Sequence, residues 1–199
     1  MRKVPFVLFL FPFLALPALA QEEPSAPAFE VYAGYALGHL NMGQLASNSQ
    51  RHHINGWDAQ ALAHINRWMA LTVDYNGYTG TPNVAGIPID WRIHSVMGGP
   101  QIAWRQSRIT PFAHARFGVT RLNAFAAGDS IVQTNFSMAF GGGVDFAVTQ
   151  HIAVRAGQLD YLMTRFPSMN LTTGNLTVPD RQSSLRFSSG VLLRFGRRD

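Results

Sequence analysis

The feature that most limits the fold of this sequence is an alternation of bulky apolar side chains with small or polar ones. About eight stretches of roughly ten residues show this period of two, and none from residue 29 onward has a long apolar period of 3.6 residues. Because successive side chains of a strand point to opposite faces, the pattern predicts an all-β fold. In the last stretch, one face carries Leu185, Phe187, Val191, Leu193 and Phe195, and the other carries Arg186, Ser188, Gly190 and Arg194.

The predicted strands are separated by connections that alternate in length. We expect strands at about 29–38, 54–65, 68–78, 92–104, 110–121, 134–147, 151–163 and 184–196. The connections 66–67, 105–109 and 148–150 are short, whereas 39–53, 79–91, 122–133 and 164–183 are long. Short turns at one end and long polar loops at the other are typical of membrane barrels. The sequence therefore predicts an eight-stranded antiparallel up-and-down transmembrane β-barrel.

The two predicted faces differ in bulk as well as in polarity. One face holds Phe, Leu, Met and Tyr, and the other holds Gly, Ala and Ser with a few charges. Eight strands enclose only enough space for a filling of side chains, so the bulky set would overfill the interior. We therefore expect the bulky face to meet lipid and the small, charged face to line the barrel interior, or lumen.

The charges assigned to the lumen nearly cancel. An uncompensated buried charge costs several kcal/mol, so near-balance predicts a structural plug of ion pairs in preference to a catalytic or transport site. We expect His64 and His114 to lie among these charges. The predicted lumen network consists of Glu30, Asp58, Asp74, Asp145 and Asp160 with Arg116, Arg155, Arg186 and Arg194.

Two positions disturb the alternation. Pro100 lies inside the fourth predicted strand, where it removes a backbone hydrogen-bond donor. Arg155 and Asp160 differ in parity, so both face the lumen only if the pairing shifts near Gly157 and Gln158. We predict β-bulges at both places.

Aromatic residues are placed as two membrane interfaces would favour. Trp68 and Trp104 fall beside short connections, while Trp57, Tyr78, Trp91 and Tyr161 fall near long ones. Ten residues tilted by about 40° span roughly 25 Å, the height of the apolar band of such barrels.

The first residues have the layout of a secretory signal peptide. Arg2 and Lys3 precede the apolar run from Val4 to Leu19, and the small residues Ala18 and Ala20 form an A-x-A-like cleavage site at its end. Pro5, Pro12 and Pro17 argue against a membrane-anchoring helix. We therefore predict a signal peptide at 1–20, a polar tether at 21–28, the barrel at 29–196 and a tail at 197–199.

Other classes of protein find little support. The chain has no cysteine, which excludes disulfides, thiolate metal sites and a cysteine nucleophile. Its arginines are scattered, so we expect no nucleic-acid partner. His52 and His53 form an isolated pair, and we expect no metal, no cofactor and no catalytic residues. For a lipid-modifying enzyme, Ser95 with His94 or Ser137 with His114 would be the candidate pairs, although their spacing supports no triad.

The closing segment, residues 188–195, resembles the C-terminal signal that directs outer-membrane barrels to their assembly machinery, with Gly190, Leu193 and Phe195 at its fixed positions. Gly196 to Asp199 follow the aromatic residue on which such proteins often end. With the strand count and the alternating connections, the chain resembles the eight-stranded family that includes the transmembrane domain of outer-membrane protein A and small virulence-associated barrels. The resemblance implies an outer-membrane monomer whose partners are membrane lipid, the barrel assembly machinery and periplasmic chaperones.

These observations favour a non-enzymatic envelope protein with a filled lumen and four long outward loops in a structural or surface-interaction role. A narrow pore and a lipid-modifying barrel enzyme are the alternatives. A periplasmic lipocalin-like carrier would require the two faces to be reversed.

Overall fold

The structure, a computed structural model, describes residues 26–40, 52–80, 83–84, 87–88, 90–126, 129–165 and 181–197. Eight antiparallel strands close into a barrel, and a separate pair of two-residue strands lies between the third and fourth of them. The barrel strands are β1 (Phe29–Leu40), β2 (His52–His64), β3 (Met69–Gly80), β6 (Asp90–Ala103), β7 (Ile109–Ala126), β8 (Asp129–Ala147), β9 (Ile152–Arg165) and β10 (Arg181–Phe195). The small hairpin consists of β4 (Asn83–Val84) and β5 (Ile87–Pro88).

The barrel closes by pairing its first strand with its last. Phe29 lies opposite Phe195 and Leu40 opposite Ser184, with an unbroken register between them. Around the barrel the order is β1, β10, β9, β8, β7, β6, β3 and β2, so every strand has both neighbours. Closure leaves the barrel no edge strand, so its strands pair with both neighbours along almost their whole length, as a spanning structure in lipid requires. The predicted fold class is confirmed.

The two ends of the barrel differ as predicted. Short connections at 65–68, 104–108 and 148–151 share one end with the start of β1 and the end of β10, and we call this the short-turn end. The opposite end, from which the connections 41–51, 81–89 and 166–180 leave, is the long-loop end. The connection predicted at 122–133 is wrong, because β7 and β8 continue to Ala126 and Asp129. The two strands stay paired beyond the predicted ends, through residues such as Leu122 and Val132. Apolar residues that alternate with polar ones are compatible with a β-strand in this segment as in the rest of the barrel.

Side chains alternate between outside and inside along the barrel strands, apart from one shift in β9. In β3, Leu71, Val73 and Tyr75 are exposed while Thr72 and Asp74 are buried, and the other barrel strands follow the same rule. The bulky face therefore points outward, as predicted. No helix in the described part of the chain is both long and apolar enough to cross a membrane.

One of the two predicted bulges is present. The pairing of β9 with both neighbours shifts by one residue at Ala156, and this extra residue returns both Arg155 and Asp160 to the lumen. No bulge forms at Pro100. The register of β6 with β7 is the same on both sides of Gly99 and Pro100, and only these two residues drop out of the pairing. A proline can remove its own hydrogen bond without displacing the strand.

Candidate functional site: the lumen network

The centre of the lumen holds an arginine bound to two carboxylates from different sides of the barrel. Arg186 of β10 donates from Nε to Asp160 Oδ2 at 2.7 Å and from Nη2 to Asp74 Oδ2 at 3.2 Å. Arg116 of β7 donates to the same Asp74 oxygen at 2.5 Å. His114 Nε2 lies 2.9 Å from Asp160 Oδ1. Each of these side chains is almost completely buried, so every charge in the group depends on its partners in place of water.

A second arginine is held between two glutamines and two aromatic rings. Arg155 makes a two-point contact with Asp145, from Nε to Oδ1 at 2.7 Å and from Nη2 to Oδ2 at 3.1 Å. Its Nη1 donates to Gln60 Oε1 at 2.8 Å and to Gln158 Oε1 at 2.6 Å. Bidentate pairing of this kind fixes the plane of the guanidinium.

Aromatic rings cover both faces of that guanidinium. Its Cζ lies 4.5 Å from the ring centre of Tyr32 and 4.2 Å from that of Phe112. Tyr32 belongs to β1 and Phe112 to β7, which stand on opposite sides of the barrel. The lumen is therefore crossed from wall to wall by a ring, a guanidinium and a second ring.

Gln60 connects these two groups. Its Oε1 accepts hydrogen bonds from Arg155 and, at 3.0 Å, from Arg116 Nη2, and its Nε2 donates to Gln158 at 3.2 Å. Gln158 in turn donates to Asp160 Oδ2 at 2.7 Å. We refer to nine of these connected side chains as the central network; they are Gln60, Asp74, His114, Arg116, Asp145, Arg155, Gln158, Asp160 and Arg186.

A separate cluster closes the short-turn end. Glu30 Oε1 accepts from Arg194 Nε at 3.0 Å, and Glu30 Oε2 lies 3.0 Å from His64 Nε2. Arg105, which belongs to the turn between β6 and β7, reaches inward to within 3.6 Å of Glu30 and 3.1 Å of His64 Nε2. With Arg105, the described interior holds five arginines against five carboxylates.

Asp58 is the buried carboxylate with the weakest pairing. Its Oδ2 accepts from Gln60 Nε2 at 3.0 Å, while its Oδ1 has no hydrogen-bond partner. Among the side chains that the structure describes, no cationic nitrogen lies within 4 Å of it. Of the nine acids and arginines predicted for the lumen, all are buried, and Asp58 alone lacks a direct ion pair.

Glycines provide the space that these side chains occupy. A Cβ on Gly141 would collide with Asp160 Oδ1 and with the Leu159 carbonyl, and a Cβ on Gly34 would collide with the Tyr32 hydroxyl. Gly141 and Gly143 thus face the lumen at places where neighbouring atoms leave no room for a side chain, and a Cβ on Gly142 would meet the backbone of Phe112.

Three side chains of the lumen, two from the central network and one from the cluster at the short-turn end, were not predicted from the sequence. Gln60 and Gln158 share the inward parity of their strands, so the alternation could have identified them, but their neutrality removed them from a count of charges. Arg105 lies in a turn, where a period of two gives no direction for a side chain.

The structure brings neither candidate serine–histidine pair together. Ser95 is buried and lies 2.9 Å from Thr120 Oγ1 in a hydrogen bond, while His94, the preceding residue, lies on the outer face. Ser137 bonds to Thr120 and Thr164, whereas His114 contacts Asp160. Within the described residues no group of three or more His, Asp or Glu side chains could hold a metal. His52 and His53 begin β2 instead of lying in a loop, and their side chains are outside the described set.

The aromatic and C-terminal residues are placed as follows. Trp68 and Trp104 lie at the short-turn end with ring centres 5.6 Å apart, and both are exposed. Trp57 and Tyr161 are exposed near the long-loop end. The prediction of Tyr78 in an aromatic belt is wrong, because its position in the alternation of β3 directs it into the lumen, against Ala36 and Ile54.

Some predictions fall on residues that the structure does not describe. These are the side chain of Trp91, residues 1–25 of the predicted signal peptide and tether, and the last two residues of the tail.

The residues of the proposed assembly signal occupy both faces of β10. Leu193 and Phe195 are exposed on the outer face. Gly190 faces inward, where its backbone packs closely against Ala33 and Gly34 of β1.

The fold and part of the sequence are similar to known proteins. The family described as outer membrane protein beta-barrel domain matches residues 6–181. No curated protein matches the chain. The crystal structure of Neisserial surface protein A has a TM-score of 0.66 at 18% identity and covers 86% of this chain and 100% of its own.

Two further solved structures share the fold. Ail, the attachment invasion locus protein of Yersinia pestis, has a TM-score of 0.57 at 14% identity, covering 85% of this chain and 99% of its own. The outer membrane protein OprG from Pseudomonas aeruginosa has a TM-score of 0.50 at 11% identity, covering 86% and 97%. At these identities the likeness concerns the fold.

Proposed function

Since the chain belongs to the outer membrane protein β-barrel family, we propose that it is a non-enzymatic, monomeric barrel with a lumen closed by its own side chains. Its long-loop end faces the cell exterior, where these loops serve a structural or surface-interaction role. Membership of the family indicates the outer membrane. A cleaved signal peptide, periplasmic chaperones and the barrel assembly machinery complete the proposed route to that membrane.

The observation that carries the proposal is the set of hydrogen bonds that cross the lumen between strands that are not neighbours. Arg186 of β10 reaches Asp74 of β3, and Arg155 of β9 reaches Gln60 of β2. Eight strands leave an interior that side chains fill, and here the filling is charged and mutually bonded. Passage of an ion through this layer would require several buried pairs to separate at once, each at a cost of several kcal/mol.

The residues in the lumen also support a non-enzymatic role. Each serine and histidine considered for catalysis has a structural partner or lies on the opposite face from its candidate partner. Incubation of the purified barrel with outer-membrane lipids, followed by mass spectrometry, should yield no change in acyl composition. A time-dependent loss or gain of an acyl chain would refute the assignment.

Planar-bilayer recording tests the closed lumen directly. The wild-type protein should give no steady single-channel current, and the variant R186A should give intermittent or small currents because two carboxylates lose a shared partner. Heat-dependent gel mobility establishes that both proteins are folded before recording. Large, stable currents from the wild type would replace the plug with the narrow-pore alternative.

A further inference from the structure

A basic patch lies on the outer face of β6 and β7 at the long-loop end. It consists of Arg92, His94 and Arg121. His94 and Arg121 are paired directly across the two strands, and Arg92 lies two residues before His94 in β6, on the same face and closer to the long-loop end. Both arginines are exposed, and His94 is half-buried.

No carboxylate whose side chain the structure describes lies on the outer surface beside the patch; the side chain of Asp90, two residues before Arg92 in β6, lies outside the described set. All five carboxylates whose side chains are described, those of Glu30, Asp58, Asp74, Asp145 and Asp160, point into the lumen. Neither Arg92 nor Arg121 forms an ion pair or hydrogen bond with another described side chain. Basic groups at directly opposed and diagonal positions of a sheet repel one another, so the patch favours an anion supplied from outside the chain.

The patch sits at the boundary of the apolar outer surface. Val96, Phe117 and Val119, the nearest outward residues towards the short-turn end, are all exposed and apolar. Twelve residues separate Ile109 from Arg121, which corresponds to about 30 Å along the barrel axis at a tilt of about 40°. Since the apolar band is about 25 Å tall, Arg121 lies just beyond it, at the level of the lipid head groups.

Aromatic neighbours fix the imidazole of this patch. The Tyr75 ring stacks on His94 with centres 6.1 Å apart and an angle of 22°, and the Tyr75 hydroxyl lies 3.4 Å from His94 Nδ1. Trp57 packs edge-on against Tyr75 at 4.9 Å. This contact leaves Nε2 of His94 as the nitrogen available to a ligand.

We propose that the basic patch binds the phosphate group of an anionic lipid in the outer leaflet. The planar guanidinium groups of Arg92 and Arg121 match the geometry of phosphate oxygens and form strong charge-assisted hydrogen bonds with them. The acyl chains of the same lipid lie along Val96, Phe117 and Val119. A lipid that combines phosphate with acyl chains therefore satisfies the charged and the apolar parts of the surface together.

Titration of a short-chain lipid tests the proposal on the full barrel in neutral detergent micelles. The probe is dihexanoylphosphatidic acid, and binding is followed by its phosphorus NMR signal. The variant R92Q/R121Q removes two charges from the patch, and R108Q/R197Q removes two exposed charges from the short-turn end as a matched control. Heat-dependent gel mobility verifies folding, and the single variant R121Q replaces the double variant if the latter does not fold.

Wild type and R108Q/R197Q should bind one lipid per barrel saturably. The affinity of R92Q/R121Q for this lipid should be lower by about tenfold or more, as expected for the loss of charge-assisted hydrogen bonds. Inorganic phosphate and the zwitterionic dihexanoylphosphatidylcholine should bind more weakly than the phosphatidic acid. Equal binding by wild type and R92Q/R121Q would overturn the proposal, as would equal weakening of both double variants. Inorganic phosphate binding as tightly as the lipid would reassign the patch to a free anion.

Discussion

An arginine introduced on the outer face of β3 should destabilise the barrel according to its depth. Val73 and Thr79 are both exposed on this face, four and ten residues beyond Met69. At about 3.3 Å per residue and a tilt of about 40°, these positions lie about 10 Å and 25 Å above the short-turn boundary. In an apolar band about 25 Å tall, Val73 is close to the midplane and Thr79 is at the edge. V73R should therefore cost about 2–4 kcal/mol and T79R about 0–1 kcal/mol.

The measurement is equilibrium unfolding in urea of barrels inserted in phosphatidylcholine vesicles, followed by tryptophan fluorescence. V73Q serves as a control for side-chain length and polarity, and it should be less destabilising than V73R because it carries no charge. Equal losses of unfolding free energy in V73R and T79R would show that this face does not meet lipid, because a side chain exposed to water would show no dependence on depth.

Three further predictions concern the lumen and the last strand. R186A should lower the free energy of unfolding by about 3–5 kcal/mol, against no more than about 0.5 kcal/mol for the exposed R108A; equal losses would refute the buried network. G141A should cost about 1–3 kcal/mol in the same unfolding assay because its Cβ has no room, whereas G80A, with its nearest neighbour at 3.4 Å, should be tolerated. A loss from G80A as large as that from G141A would contradict the packing argument. Deletion of residues 193–199 should leave exported protein in the periplasm on cell fractionation, and normal insertion of the truncated chain would remove the assembly signal from this segment.

Most of the fold follows from a period of two combined with a limit on interior volume. The alternation assigns each residue of a strand to a face, and the bulk of one set then decides which face is outside. From the alternation alone, Asp74 and Arg186 are predicted to face the lumen, although their partners are not known from the sequence. The shift in β9 was predictable for the same reason, because Arg155 and Asp160 could share the lumen only if one residue was added between them.

The remaining errors occur where parity was not applied or does not hold. Tyr78 was placed in an aromatic belt by residue type, although its parity in β3 is that of Asp74 and Asn76. Arg105 has no parity because it belongs to a turn. Pro100 lost its hydrogen bond without shifting the strand, since its neighbours on both sides hold the same register. Which carboxylate each arginine pairs with depends on distances across the lumen, and the alternation within a single strand carries no information about those distances.

The cross-lumen pairs also separate the charges of the network along the chain. The inward positions of β1 to β3 supply three carboxylates and no arginine, whereas those of β7 to β10 supply four arginines and two carboxylates. Among the described side chains, the ion pairs of Asp74 are with Arg116 and Arg186, the latter 112 residues away in sequence. An incomplete sheet made from either half consequently holds ionised groups that it cannot neutralise by itself, and they must stay hydrated until the other half arrives. The acidic first half and the basic second half attract each other across the open seam between β1 and β10, where Glu30 finally meets Arg194.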